Sequence, residues 1–185
     1  LVHRISFTGG PSTARHVIRN SAENFAEVSL ELGGKSPFIV FDDADIESAV
    51  NGSIAGIFGA SGQSCVAGSR LYLHESITDE FLDKMLNLAS KIKLGDPLQE
   101  ETQMGPLATL GQMNLIENEI SNAKAQGAKI LHGGKRPSNA NGGWFYEPTI
   151  VDCHDQKLKI VDTELFGPVL SVIRFKSEEE VIKLA

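Results

Sequence analysis

Two residues of this 185-residue chain have types and surroundings that suit covalent chemistry, Cys65 and Glu31. Cys65 stands in a run of small residues, Gly59-Ala60-Ser61-Gly62-Gln63-Ser64-Cys65-Val66-Ala67-Gly68-Ser69-Arg70, between a predicted helix and a predicted strand. Small side chains leave backbone amides open to a ligand. Thiols ionise with a pKa of about 8.5, so nucleophilic use demands amide dipoles or positive charge that raise the thiolate fraction. Taken alone, a single Cys is more often buried and structural. Glu31 lies at a predicted strand end beside Gly33-Gly34, where flexible neighbours suit a carboxylate that moves between a resting and a working position. A strand-end carboxylate more commonly just faces water. The pair carries more weight than either member.

Both residues depend on regular elements to hold them. Arg4 to Thr8 reads as a strand, Gly9-Gly10-Pro11 as a turn, and Ser12 to Asn24 as a helix capped by Ser12. Glu27 to Leu32 is the next extended piece, and Pro37 to Phe41 reads as a buried strand bounded by Asp42-Asp43. From Asp45, the positions Ile46, Ala49, Val50, Ile54, Ile57 and Phe58 recur at helical spacing, and the helix should stop near Gly59 to Gly62. Arg70 to His74 predicts a strand. Ser76 with Asp79 predicts a cap for a helix whose face carries Phe81, Met85, Leu88 and Ile92. Beyond Gly95-Asp96-Pro97, a third helix carries Met113, Ile116, Ile120 and Ala123, ends at Gly127 and leads into a strand over Lys129 to His132. Asn139 to Gly143 reads as a loop, Thr149 to Cys153 and Val169 to Phe175 as strands, and Ser177 to Glu180 as an acidic helix start. This alternation predicts a three-layer α/β fold, a mostly parallel sheet flanked by helices, with ligand sites beyond the carboxyl ends of strands. The candidate boundary between units is Gly33-Gly34, where two residues without Cβ let the chain change direction.

Leu30-Glu31-Leu32-Gly33-Gly34-Lys35-Ser36-Pro37 resembles the general-base motif of aldehyde dehydrogenases, and Gly62-Gln63-Ser64-Cys65 resembles their nucleophile motif. The 34-residue separation of Glu31 and Cys65 agrees with many members, and the resemblance runs along essentially the whole chain. It implies that Cys65 is the nucleophile and Glu31 the general base. Phe7-Thr8-Gly9-Gly10 resembles the turn beneath the dinucleotide pyrophosphate, which places Gly9, Gly10 and Leu32 in a cofactor site, since amides at a helix N-terminus attract phosphate. Gly10 stands where many members have Ser, and Ala14 where many have Gly, so a hydroxyl contact to phosphate is lost and backbone contacts are left. Thr163-Glu164-Leu165-Phe166-Gly167-Pro168-Val169 resembles the segment whose Glu hydrogen-bonds the nicotinamide ribose and whose Phe packs near the nicotinamide. The resemblance gives those roles to Glu164 and Phe166, which otherwise read as a solvated carboxylate and a core aromatic. Gln112 matches a position that touches the same ribose in some members.

The family resemblance further implies the C-terminal end of a dinucleotide-binding domain over residues 1–32 and a catalytic domain, incomplete at its C-terminus, over 33–185. Its cofactor would be NAD or NADP. Cys65 thiolate would attack an aldehyde, the oxyanion being held by the Cys65 amide and an Asn side chain that members carry upstream of Leu1. Without that Asn the isolated fragment is expected to be inactive, because losing one such donor typically costs roughly 100 to 1,000 fold. Water activated by Glu31 would then hydrolyse the thioester to a carboxylic acid. Retention of Glu31 favours hydrolysis over transfer to coenzyme A.

Composition bounds the alternatives. A net charge of −7 offers no basic patch for nucleic acid or an anionic membrane, and no apolar run reaches the roughly 18 to 20 residues of a span, so a soluble protein is expected. Two cysteines cannot staple a fold of this size, which points to a reducing, cytoplasmic setting. His3, His16, His74, His132 and His154 show no metal-ligand spacing with each other or with the cysteines, so no metal is expected. Lys35 and Arg70 read as structural, and Cys153 as buried and inert. Both ends read as cut, and the full-length protein is expected to form a homodimer or homotetramer with a small aldehyde as substrate. A cofactor-free Cys hydrolase and a non-catalytic structural piece are the competing readings.

Overall fold

Residues Leu1–Gly34 and Lys35–Ala185 form two units in a computed structural model that describes residues 2–138 and 142–185. In the first, strand β1 (Arg4–Gly9) leads through helix α1 (Pro11–Ser21) and a 3₁₀ turn (Ala22–Asn24) to β2 (Glu27–Leu32). The two strands pair in parallel, with Thr8 opposite Glu31 and Gly9 opposite Leu32. Helix α1 begins at Pro11 rather than at a Ser12 cap. A proline's fixed φ and missing N–H suit the first helical position, and Gly10 in extended conformation precedes it. The helix ends three residues before Asn24 at the 3₁₀ turn, and Phe25 reverses the chain at φ 56.

The second unit contains β3 (Pro37–Val40), α2 (Ile46–Phe58), β4 (Arg70–His74), α3 (Thr78–Ala89), α4 (Leu110–Ala125), β5 (Lys129–His132), β6 (Thr149–Asp152), α5 (Lys159–Asp162), β7 (Val169–Phe175) and α6 (Glu178–Leu184). The sheet order is β3-β4-β7-β6-β5, parallel except for the antiparallel β5–β6 pair. Because side chains alternate across a strand, Leu71, Leu73, Ile150, Leu170 and Val172 pack on one face with Val50, Ile57 and Phe58 of α2 and Phe81, Leu82 and Met85 of α3. Tyr72, Val151, Val169, Ile173 and Phe175 pack on the other with Met113, Ile116, Ile120 and Ala123 of α4, Ile160 and Val161 of α5, and Val181 of α6. Helices on both faces make this the expected three-layer α/β architecture. Central β7 is buried at every position except Arg174, as a strand covered on both faces should be.

Caps explain the helix limits. The Asp45 carboxylate accepts from Ser48 N–H at 2.7 Å and starts α2. The α4 start is held by Thr109 Oγ1, accepting from Gln112 N–H at 3.1 Å. Its end is a Schellman arrangement, with Gly127 at φ 92, Gly127 N–H bonded to Lys124 O and Ala128 N–H to Ala123 O. The expected Ser76 cap is not formed. A 3₁₀ turn (Glu75–Ile77) intervenes, Ser76 Oγ lies 2.8 Å from His74 Nδ1, and α3 starts at Thr78 without a side-chain cap. Ile92 falls beyond the end of α3, although it still packs against the core. The strand predicted to reach Phe41 ends at Val40, with Ile39 37% exposed, so β3 is only half-buried. Of the loop expected over Asn139 to Gly143, residues 139–141 lie outside the described residues. The four-residue α5 was not expected; buried Glu119 of α4 pairs with Lys159 and tethers it.

Candidate active site

The segment after α2 does not turn away smoothly. Ala60, Ser61 and Gly62 adopt φ of 48, 56 and 70 in succession, a left-handed run that only Gly62 takes without a Cβ penalty. The two non-glycine residues cost of order 1–2 kcal/mol each, so other contacts must hold them. Buried Ser61 donates its hydroxyl to Gly105 O at 2.8 Å, and the Gln63 carboxamide accepts from Ala108 N–H at 2.9 Å while donating to Ala60 O at 3.4 Å. Gly68 N–H returns to Gly56 O at 3.2 Å. Between these ties, a turn closed by Ala67 N–H to Ser64 O at 3.1 Å presents Cys65 to solvent. An exposed thiol on a braced turn can act as a nucleophile.

Two further segments converge on this loop. Gln112, in the first turn of α4, donates its side-chain amide to Leu165 O. A Cβ on Gly62 would lie 2.1 Å from Gly167 O, so the Cys65 loop and the 163–168 segment approach as bare backbone. A Cβ on Gly167 would in turn meet Ile116 Cδ1 at 2.3 Å. Within that segment Phe166 is held at φ 46 and is 40% exposed, an uncommon conformation for an aromatic residue. Glu164 is half-buried, and its Oε1 is buried without a hydrogen-bond partner among the described residues. A buried carboxylate oxygen of this kind suits a donor such as a ribose hydroxyl.

The remaining predicted residues belong to the first unit. Glu31 is exposed one residue before the end of β2, and Leu32 is 38% exposed at that end. Gly9 closes β1, and no side chain caps the amides that open α1. A Cβ on Gly10 would meet nothing within 4 Å, so this backbone can be approached closely, and the free amides fit a phosphate. The structure thus groups Gly9, Gly10, Glu31 and Leu32 in one unit, and Cys65, Gln112, Glu164 and Phe166 around adjoining segments of the other.

Sequence reasoning passed over Ser61 and Gln63. Their signal is slight: Gln63 is the one long polar side chain between Gly59 and Cys65, and Ser61 is a hydroxyl that burial obliges to find a partner. Arg70 is structural as expected, its guanidinium donating to Lys35 O at 2.7 Å, Tyr72 Oη at 3.0 Å and Leu184 O at 3.3 Å. The Lys35 amine is buried with no hydrogen-bond partner among the described residues. Burial, reinforced by Arg70 and opposed by Cys153, Glu164 and Asp162, brings it down from the usual lysine range to about 8. Cys153 is buried, and desolvation pushes its thiol up to about 11, so it is a poor nucleophile. Among the described residues no group of three or more His, Cys, Asp or Glu could hold a metal, and no helix is long and apolar enough to cross a membrane.

Comparison with known proteins supplies the family. A sequence model of the aldehyde dehydrogenase family matches residues 1–185. The chain is 54% identical over 185 residues to (Z)-2-((N-methylformamido)methylene)-5-hydroxybutyrolactone dehydrogenase of Acinetobacter baylyi, covering 100% of this chain and 38% of that protein. It is 44% identical over 184 residues to chloroplastic betaine aldehyde dehydrogenase of Atriplex hortensis, covering 100% of this chain and 37% of that one. Among solved structures, betaine aldehyde dehydrogenase of Staphylococcus aureus in complex with NAD+ superposes with a TM-score of 0.95 at 44% identity, over 99% of this chain and 37% of that chain. The NAD+ complex of an aldehyde dehydrogenase from Bacillus cereus gives 0.94 at 40% identity, over 98% and 37%. The chain therefore spans less than two-fifths of the length of these relatives. Matched along its whole length, the chain belongs to the aldehyde dehydrogenase family.

Proposed function

We propose that the full-length protein containing these residues oxidises an aldehyde to a carboxylic acid with NAD+ or NADP+, using Cys65 as nucleophile and Glu31 as general base. The observation that carries this reading is the exposed Cys65 thiol on a turn braced from both sides, in a chain whose family match is complete. Cys65 attacks the aldehyde carbon to form a thiohemiacetal, and its own backbone N–H supports the oxyanion. Gly9, Gly10 and the first amides of α1 are suited to the pyrophosphate, Glu164 to the nicotinamide ribose, and Phe166 to the face of the nicotinamide. Bound there, the dinucleotide would supply the hydride acceptor. Glu31 takes a proton from the water that attacks the Cys65 thioester, which releases the acid and returns the thiol. Both cysteines being free fits a reducing, cytoplasmic setting, and a homodimer or homotetramer is part of the proposal.

An assay of NAD(P)H formation over an aldehyde panel, including betaine aldehyde, an aminoaldehyde and a 5-hydroxybutyrolactone, tests the reading on the full-length protein. Cys65→Ala should abolish NAD(P)H formation, and Glu31→Gln should allow one burst and then slow turnover by about 100-fold or more. Full steady-state activity in both variants would overturn the assignment. Turnover of a thioester with equal speed in the absence of dinucleotide would instead favour a hydrolase.

A further inference from the structure

Three segments distant in sequence meet around the nucleophile loop, and two side chains with no place in the chemistry join them. Ser61 Oγ binds Gly105 O at 2.8 Å, and the Gln63 carboxamide bridges Ala60 O and Ala108 N–H at 3.4 and 2.9 Å. Four residues on, Gln112 binds Leu165 O, and the circuit closes where Gly62 meets Gly167 O with no room for a Cβ. On the loop side the ties hold strained residues directly, Ser61 through its hydroxyl and Ala60 through its carbonyl, and Gln112 holds Leu165, the neighbour of Phe166. Ala60 and Ser61 are left-handed on one side and Phe166 on the other, and such conformations persist only where the surroundings over-determine them. An unbraced loop would relax toward ordinary φ values and move Cys65, which lies two residues beyond Gln63.

Building on the functional reading above, we propose that Gln63, supported by Ser61, is a positioning residue for the reaction. It holds the Cys65 turn in register with the Glu164–Phe166 segment by way of residues 105–112. Its contacts are to backbone groups, so it touches no reacting atom. Both ends of its carboxamide are used, one as acceptor and one as donor, and this is why an amide serves where a carboxylate or an apolar chain of equal length does not. The expected consequence of loosening it is a misplaced thiol with substrate binding little changed, and misplacement of about 1 Å can cost on the order of 100-fold in rate.

The test compares the full-length protein with Gln63→Met, which removes both bonds, Gln63→Glu, which keeps the acceptor for Ala108 N–H, and Ser61→Ala. Hydrogen–deuterium exchange is followed in peptides covering 59–68, 105–112 and 163–168, beside kcat and KM and the thermal midpoint. Gln63→Met should raise exchange in all three peptides and lower kcat by about tenfold or more, with KM for aldehyde and dinucleotide within about twofold. Gln63→Glu should show smaller changes of the same kind, and Ser61→Ala should raise exchange mainly over 59–68. Wild-type exchange in all three peptides for Gln63→Met, or a general rise in exchange with a collapsed midpoint in every variant, overturns the proposal. If the wild-type protein makes no NAD(P)H with any aldehyde, the functional reading fails, and the exchange pattern still decides whether Gln63 joins the segments.

Discussion

Burial of the Lys35 amine without a hydrogen-bond partner sets a pH dependence that a single substitution can expose. Its folded pKa of about 8 lies below the ordinary lysine value of 10.5, so between these values the folded chain has released a proton that the unfolded chain still holds. Stability therefore rises with pH across that window, and below pH 8 the full cost of the buried charge is present. Lys35→Met should raise the unfolding free energy at pH 7 by up to about 3 kcal/mol, and the gain should shrink as pH approaches 10. Urea denaturation of the two proteins at pH 7 and pH 9.5 measures this, and an equal difference at both pH values would contradict it. From sequence, Lys35 read only as structural, because burial of an amine depends on what folds over it. Cys65 and Glu31 are singled out by their motifs, and the structure shows both exposed. The bracing by Ser61 and Gln63 was not legible, since their partners Gly105 and Ala108 lie more than forty residues away and are backbone groups that leave no mark in sequence.

At the scale of elements, Thr109 links the limits of a helix to the site that it carries. Its side chain caps α4 by accepting from Gln112 N–H, and Gln112 is the residue that ties α4 to the 163–168 segment. Thr109→Ala should cost about 1 kcal/mol of stability, as loss of an N-cap generally does. Chemical denaturation with unchanged m-value checks the size, and a change within 0.2 kcal/mol of zero would show that the cap is redundant. Helices α2 and α4 were readable because apolar residues recur at three and four positions and real caps bound them. Ser12 and Ser76 misled because Ser also serves outside caps: Pro11 opens α1 first, and a 3₁₀ turn with a His74 contact takes up Ser76. Helix α5 is too short to show a period. No local pattern in the sequence specifies that β5 runs antiparallel to β6. The left-handed Ala60, Ser61 and Phe166 were hidden for a related reason, since none of these residue types favours positive φ and tertiary contacts impose it.

At the scale of the whole molecule, the alternating strands and helices place one apolar cluster on each face of a five-stranded sheet, and the Cys65 loop emerges between α2 and β4. The loop's bracing lies in this unit, while Glu31 and the α1 amides belong to the other, so catalysis as proposed requires both units within the full-length protein. In the proposed reaction a thioester forms on Cys65 and Glu31 drives its hydrolysis. Mass spectrometry of Glu31→Gln full-length protein, quenched in acid after mixing with aldehyde and NAD+, reads that thioester itself. An acyl adduct on the peptide carrying Cys65, near one per chain, is expected, with none when NAD+ is omitted. No adduct on Cys65 in a variant that still turns over, or an acyl group found on Cys153 instead, would contradict that reaction.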